Sequence, residues 1–246
     1  MKTLTGKRAL VTGASSGLGA HFAKVLAEHG AEVIMGARRR EALDQVASEA
    51  RVYGHVEVVG LDVTDAASVA ALASQVGRID VLINNAGVVR EGAALSQTES
   101  DWDSVLDTNL KGMFLVAQAI GAGMKERGQG SIINVASILG LRQAGGVLPY
   151  AVSKAGVIQL TKTLALEWAR YGIRVNALAP GYLETGLNKQ FWQSDAGLAL
   201  IRRIPQRRLG QMSDLDGPLM LLASDASRYM TGSVLAVDGG HLVSSL

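Results

Sequence analysis

Along the 246 residues, short apolar runs alternate with longer stretches whose apolar positions recur every three or four residues. The runs Arg8–Thr12, Glu32–Ala37, Val56–Leu61, Val81–Asn84, Ser131–Val135, Arg174–Ala179 and Val234–Val237 are too short for helices and read as strands. Between them, Leu18–His29, Glu41–Ala50, Ser68–Val76, Trp102–Met124 and Val152–Tyr171 carry helical periodicity. A repeated β-α unit predicts a mostly parallel sheet with helices on both faces, because parallel neighbours need crossover connections and these are right-handed. The expected architecture is α/β and doubly wound, a Rossmann fold. No Pro/Gly/Ser linker or low-complexity tract interrupts it, so residues 1–246 are expected to form a single domain.

The first strand runs into Thr12-Gly13-Ala14-Ser15-Ser16-Gly17-Leu18-Gly19, and a helix follows. Glycines in such a turn permit unusual dihedrals and let the backbone approach a pyrophosphate, while the first N–H groups of the helix point at the anion. A dinucleotide is the expected ligand. Its type is read at the end of the second strand, where a carboxylate would bond the ribose 2′-hydroxyl of NAD. The residues there are Arg38-Arg39-Arg40, with no acid before Glu41. Three cations at a helix start oppose the helix dipole, and a bound 2′-phosphate resolves that conflict. NADP(H) is therefore the preferred cofactor, with Arg38 as the first choice for the contact and NAD(H) remaining open.

Ser137 ends the fifth strand, and Tyr150 and Lys154 lie four residues apart at the start of a long helix. That spacing puts both side chains on one face, so the ammonium is expected to lower the pKa of the phenol and make Tyr150 an acid/base group. Ser137 would hold the substrate oxygen while Tyr150 moves its proton during hydride transfer.

These residues together resemble the short-chain dehydrogenase/reductase family, in its short single-domain branch, over essentially the whole chain. The glycine turn matches the family's TGxxxGxG, and Tyr150 and Lys154 its YxxxK. Asp62 matches its adenine-contacting acid, Asn84–Gly87 its strand-4 motif and Asn109 its helix asparagine. Tyr150 follows Ser137 by 13 residues, the family's usual distance. The resemblance implies a catalytic set of Asn109, Ser137, Tyr150 and Lys154, with Asn109 holding a water that links Lys154 to solvent and Lys154 also binding the nicotinamide ribose. It implies cofactor contacts from Gly13, Ser15, Ser16, Gly17, Leu18, Gly19, Asp62, Val63, Asn85, Ala86, Gly87, Tyr150 and Lys154, and from Pro180, Gly181 and Thr185 in a loop over the nicotinamide.

Composition narrows the rest. With no cysteine there is no thiolate chemistry, and four histidines without paired spacing make a metal centre unexpected. A formal charge of +2 is too small for a nucleic-acid footprint. No apolar run approaches the roughly 20 residues needed to cross a bilayer, and the first residues lack a signal peptide's apolar centre, so a cytoplasmic protein is expected. The substrate lid is expected over about 182–205. Leu139, Leu141, Val147, Leu148, Tyr182, Leu187, Phe191 and Trp192 favour a hydrophobic small-molecule ketone. A 3-oxoacyl thioester reductase is the alternative, its carrier or phosphopantetheine met by Arg127, Arg170 and the arginines within 202–208. A non-enzymatic NADP(H) sensor would be expected to have lost part of the Ser-Tyr-Lys set. Enoyl reductases of related fold use a wider tyrosine-lysine spacing than that of Tyr150 and Lys154. Met113, Phe114, Val116, Ile158, Leu160, Leu164 and Trp168 exceed what one packed face requires, and with the family's helix pairing they predict a homotetramer.

Overall fold

The structure, a computed structural model, describes residues 3–184 and 189–244. Seven strands form one sheet: β1 (Arg8–Thr12), β2 (Glu32–Ala37), β3 (Val56–Gly60), β4 (Val81–Asn84), β5 (Gly130–Val135), β6 (Ile173–Pro180) and β7 (Val234–Val237). Their order is β3-β2-β1-β4-β5-β6-β7, and every pairing is parallel. This is the doubly wound Rossmann arrangement.

Both faces of the sheet are covered, which is why its strands read as nearly continuous apolar runs. Period-2 alternation sorts their side chains. Ala9 and Val11 of β1 and Ile83 of β4 face Phe22 and Leu26 of α1 (Gly17–Glu28), Leu43 of α2 (Arg40–Ala50) and, further along the sheet, Leu219 of the last helix. Leu10 and Leu82 face the opposite layer, with Leu72 of α3 (Ala66–Val76) and Val116 and Ile120 of α5 (Gly112–Arg127).

The expected helix 102–124 is divided. It comprises α4 (Glu99–Leu106), a π-helical stretch at Asp107–Lys111 and α5. Thr98 caps α4 with a capping box to Asp101, a start signal three residues earlier than the apolar periodicity suggested. The helix α6 (Leu148–Trp168) likewise starts earlier than expected, with Pro149 in its first turn, where its missing N–H costs nothing. Three helices were not foreseen: α7 (Lys189–Trp192), α8 (Asp195–Ile201) and α9 (Asp216–Ala223). Ser194 caps α8 by accepting from the Gly197 N–H, a signal present in the sequence.

Sheet order reverses between β1 and β4. Ligand clefts of open α/β sheets lie outside the carboxyl ends of the strands at such a switch point.

Candidate active site

A cleft of about 1120 Å³ opens there, lined by Leu18, Asn85, Gly87, Ser137, Tyr150, Lys154, Pro180 and Gly181 among others. One wall is the glycine turn. Gly13 has φ +64, and a Cβ on it would stand 2.8 Å from the Ala86 Cα; a Cβ on Gly19 would stand 2.4 Å from the Gly13 carbonyl oxygen. Gly17 also has positive φ and faces open space. Ser16, at the N-cap of α1, makes no side-chain capping bond, so the first N–H groups of the helix lack a side-chain acceptor. Bare helix-start donors beside a turn too tight for Cβ atoms fit the pyrophosphate of a dinucleotide.

Asn85 bolts this turn to β4. Its amide donates to the Thr12 carbonyl at 3.0 Å, and the Asn85 and Ala86 N–H groups donate to the Thr12 hydroxyl at 2.9 and 3.0 Å. Asn84 points into the core, donating to the Met113 carbonyl and to Asn134. It therefore braces the sheet rather than lining the cleft as the family resemblance suggested.

The basic turn after β2 contributes more than the sequence indicated. Arg39 donates to the Ser15 and Ser16 hydroxyls at 3.2 and 2.9 Å, setting its guanidinium on the glycine turn. Arg38, the residue expected there, is exposed, and its charge helps hold the Asp62 carboxyl below its ordinary pKa. The larger causes at Asp62 are bonds from the Thr64 hydroxyl (2.7 Å) and Thr64 N–H (3.0 Å). Val63 is buried against Gly112.

The chemical groups come from β5 and α6. Ser137 caps a single 3-10 turn by accepting from the Leu139 N–H at 3.1 Å, and its hydroxyl also bonds the Tyr150 side chain. Lys154 is buried at 3% exposure; its Nζ donates to the Val135 carbonyl at 2.7 Å and lies 5.5 Å from the centre of the Tyr150 ring. The electrostatics reverse one expectation. Burial pushes the Tyr150 pKa up, and the Ser137 bond only partly offsets this. Burial also lowers Lys154 to about 8. The ammonium does not dominate the phenol because both groups are desolvated and the lysine is committed to a backbone carbonyl. The arrangement thus holds a protonated phenol at neutral pH, suited to giving a proton to a developing alkoxide.

Asn109 lies fully buried in the π-helical stretch. Its Oδ1 accepts from the Val88 N–H at 2.7 Å, and its amide donates to the Val88 carbonyl at 2.9 Å and to the Ser153 hydroxyl at 3.1 Å. Both amide hydrogens are used, so the side chain anchors the loop after β4. Ser153, which the sequence reading passed over, donates to the Tyr150 carbonyl at 2.7 Å and joins Asn109 to the first turns of α6.

On the other wall, Leu139, Val147, Tyr182, Phe191 and Trp192 line the cleft as expected, joined by Leu200 of α8. Leu141 and Leu148 are exposed and outside it. Thr185 and Leu187 lie outside the described residues. Gln143, Arg142, Arg203 and His241 also line the cleft and were not anticipated.

A family model described as Enoyl-(Acyl carrier protein) reductase matches residues 13–241. The chain is 42% identical over 245 residues to 3-oxoacyl-[acyl-carrier-protein] reductase FabG of Thermotoga maritima, covering 98% of this chain and 99% of that one. It is 40% identical over 248 residues to gluconate 5-dehydrogenase of Gluconobacter oxydans, covering 98% and 97%. The chain belongs to the short-chain dehydrogenase/reductase family. Among solved family members, a gluconate 5-dehydrogenase from Burkholderia cenocepacia in complex with NADP and tartrate superposes with a TM-score of 0.94 at 39% identity, covering 100% of this chain and 98% of that one. As a member of this family the chain is an oxidoreductase. Among its described residues no helix is long and apolar enough to cross a membrane.

Proposed function

We propose that this oxidoreductase transfers hydride between NADP(H) and a small-molecule ketone or secondary alcohol. The observation that carries the proposal is the placement of Ser137, Tyr150 and Lys154 in one cleft with the glycine turn and its Arg39. NADP(H) would lie with its pyrophosphate at the start of α1, its adenine beside Asp62 and Val63, and its 2′-phosphate between Arg38 and Arg39; Pro180 and Gly181 would border the nicotinamide. When bound, the cofactor supplies the hydride. Ser137 orients the substrate oxygen, Tyr150 donates its proton to that oxygen, and Lys154 holds positive charge beneath the phenol and binds the ribose. Asn109 positions the loop after β4 and the start of α6; a water relay there would be carried by its main chain, because its amide hydrogens are already used.

The NADP-bound relative from Burkholderia supports the cofactor assignment. A 3-oxoacyl thioester substrate is the second reading, supported by the 42% identity to the Thermotoga reductase. The arginines expected to meet a carrier weaken it. Arg127 is bonded to the Ile79 carbonyl at 2.5 Å, Arg170 to the Tyr171 hydroxyl at 2.7 Å, and Arg208 to Asp214 at 2.6 Å.

Assembly as a homotetramer belongs to the same proposal, but on different residues from those the periodicity singled out. Met113, Val116, Ile158 and Leu164 pack inside the protomer, and Leu160 and Trp168 are partly buried. Phe114, Val152 and Leu166 remain exposed on α5 and α6. Light scattering at micromolar concentration should return four times the chain mass; a monomer mass contradicts this part.

The function is tested by following NADPH and NADH oxidation with a panel of ketones and 3-oxoacyl thioesters. NADPH should be used at least about tenfold more efficiently, as expected for one charge-assisted phosphate contact worth about 1.5–3 kcal/mol. Equal use of the two cofactors contradicts the NADP(H) assignment, and consumption with no carbonyl of the panel contradicts the reaction.

A further inference from the structure

Four residues from distant parts of the chain meet on the substrate side of the cleft. Arg142 follows the turn after β5, Trp192 ends α7, Arg203 follows α8, and His241 lies after β7. Arg142 donates to the His241 carbonyl at 2.7 Å, and the Tyr182 ring stands 5.4 Å from the His241 ring and 5.3 Å from that of Trp192. His241 is 2% exposed and Trp192 8% exposed, and the His241 Nδ1 and Trp192 Nε1 are buried without a hydrogen-bond partner among the described residues. Neither Arg142 nor Arg203 forms an ion pair among the described residues. The neighbouring acid, Asp238, has its oxygens on the Gly240 and Leu242 N–H groups at 2.9 and 2.7 Å. Glu91, the one carboxylate in the lining, sits on the loop after β4, whereas the lining carries three cations, Arg142, Lys154 and Arg203.

We propose that Arg142, Arg203, His241 and Trp192 form a carboxylate-binding subsite, so that the substrate is a keto or hydroxy acid whose acid group lies away from the reacting carbon. The proposal rests on the hydride-transfer reading above and names its substrate class. Two guanidinium groups without a counter-ion in a partly enclosed cleft favour an anion, and a planar carboxylate matches their forked donors. Burial and the charge of Arg142 hold His241 below its ordinary pKa, with Asp238 opposing and Arg203 adding to the effect. His241 is then neutral at pH 7 and offers one ring N–H, while the positive charge comes from the arginines. The apolar wall of Phe191 and Leu200 is left to accommodate the carbon chain between the two polar ends.

Matched pairs test this. D-Gluconate differs from D-glucitol at one terminal carbon, a carboxylate in place of a hydroxymethyl, and 5-oxohexanoate differs from its methyl ester only in charge at the acid. The unmodified protein should favour the acid of each pair by at least about tenfold in kcat/KM, with NADP+ for the alcohols and NADPH for the ketones. Arg203→Ala, which removes no printed side-chain bond, should lower that preference by about tenfold, chiefly through KM. Arg142→Lys should lower it while keeping a donor for the His241 carbonyl. Neutral substrates used as well as the acids, a preference unchanged in Arg203→Ala, or a 3-oxoacyl thioester preferred over both acids overturns the subsite while hydride transfer stands. Failure of every carbonyl and alcohol overturns the hydride-transfer reading itself, and the subsite with it.

Discussion

On the glycine-turn side of the cleft, contacts are backbone to backbone or through short side chains: a Cβ on Gly19 would strike the Gly13 carbonyl, and Asn85 ties Thr12 to β4 through three bonds. On the substrate side, Phe191, Trp192 and Leu200 reach in from two short helices, of 4 and 7 residues, that lie outside the sheet. The first wall has almost no freedom because strand register fixes it, and the second can be reshaped by exchanging side chains. A family that keeps one cofactor while changing substrates needs this division of labour.

The largest effect should come from disturbing the rigid wall. Gly19→Ala forces a Cβ into backbone that has nowhere to move, at a cost of about 1–3 kcal/mol. It should weaken NADPH binding at least about tenfold, read by fluorescence titration, while Phe191→Ala on the other wall leaves that affinity within about twofold. Equal losses from the two would erase the distinction. Next, Arg39→Ala should remove most of the preference for NADPH over NADH, a factor of about ten from one charge-assisted bond, and Arg38→Ala should remove a smaller part. If only Arg38→Ala matters, the phosphate sits nearer Asp62 than the glycine turn.

A smaller, pH-dependent effect sharpens the comparison at the catalytic groups. Lys154 is lowered to about 8 from 10.5, and Tyr150 is raised. Ketone reduction should therefore hold level at neutral pH and fall as pH rises through about 8, because the ammonium is lost while the phenol keeps its proton. Stability should move the other way: between about 8 and 10.5 the unfolded chain binds more protons at this lysine than the folded one, so its contribution to stability rises with pH. A reduction rate that rises across that window contradicts the assignment.

How much of this was legible in the sequence follows the same division. The strands, their order of β-α units and the glycine turn are local patterns, so periodicity located them to within a residue or two. Ser137, Tyr150 and Lys154 were legible because their spacing is short. Arg39 was overshadowed by Arg38, since which of three consecutive arginines turns toward Ser15 depends on the backbone at the start of α2. The division of 102–124 was hidden because a π-helical stretch leaves apolar periodicity nearly intact. The reversed Tyr150 shift was not legible either, as burial of the phenol depends on packing that no spacing reports. Arg142 and His241 stand 99 residues apart and meet only in the folded chain.

The account depends most on the separation of cofactor binding from proton transfer, and Tyr150→Phe measures it directly. NADPH affinity and the single-turnover rate of hydride transfer to a ketone should be recorded on the same preparation. Affinity within about twofold of the parent with a rate lower by about 10² to 10⁴ is the predicted result, because the ring keeps its packing and only the proton donor is removed. A variant that transfers hydride near the parent rate, or one that loses NADPH in proportion to its rate, would contradict Tyr150 as the acid.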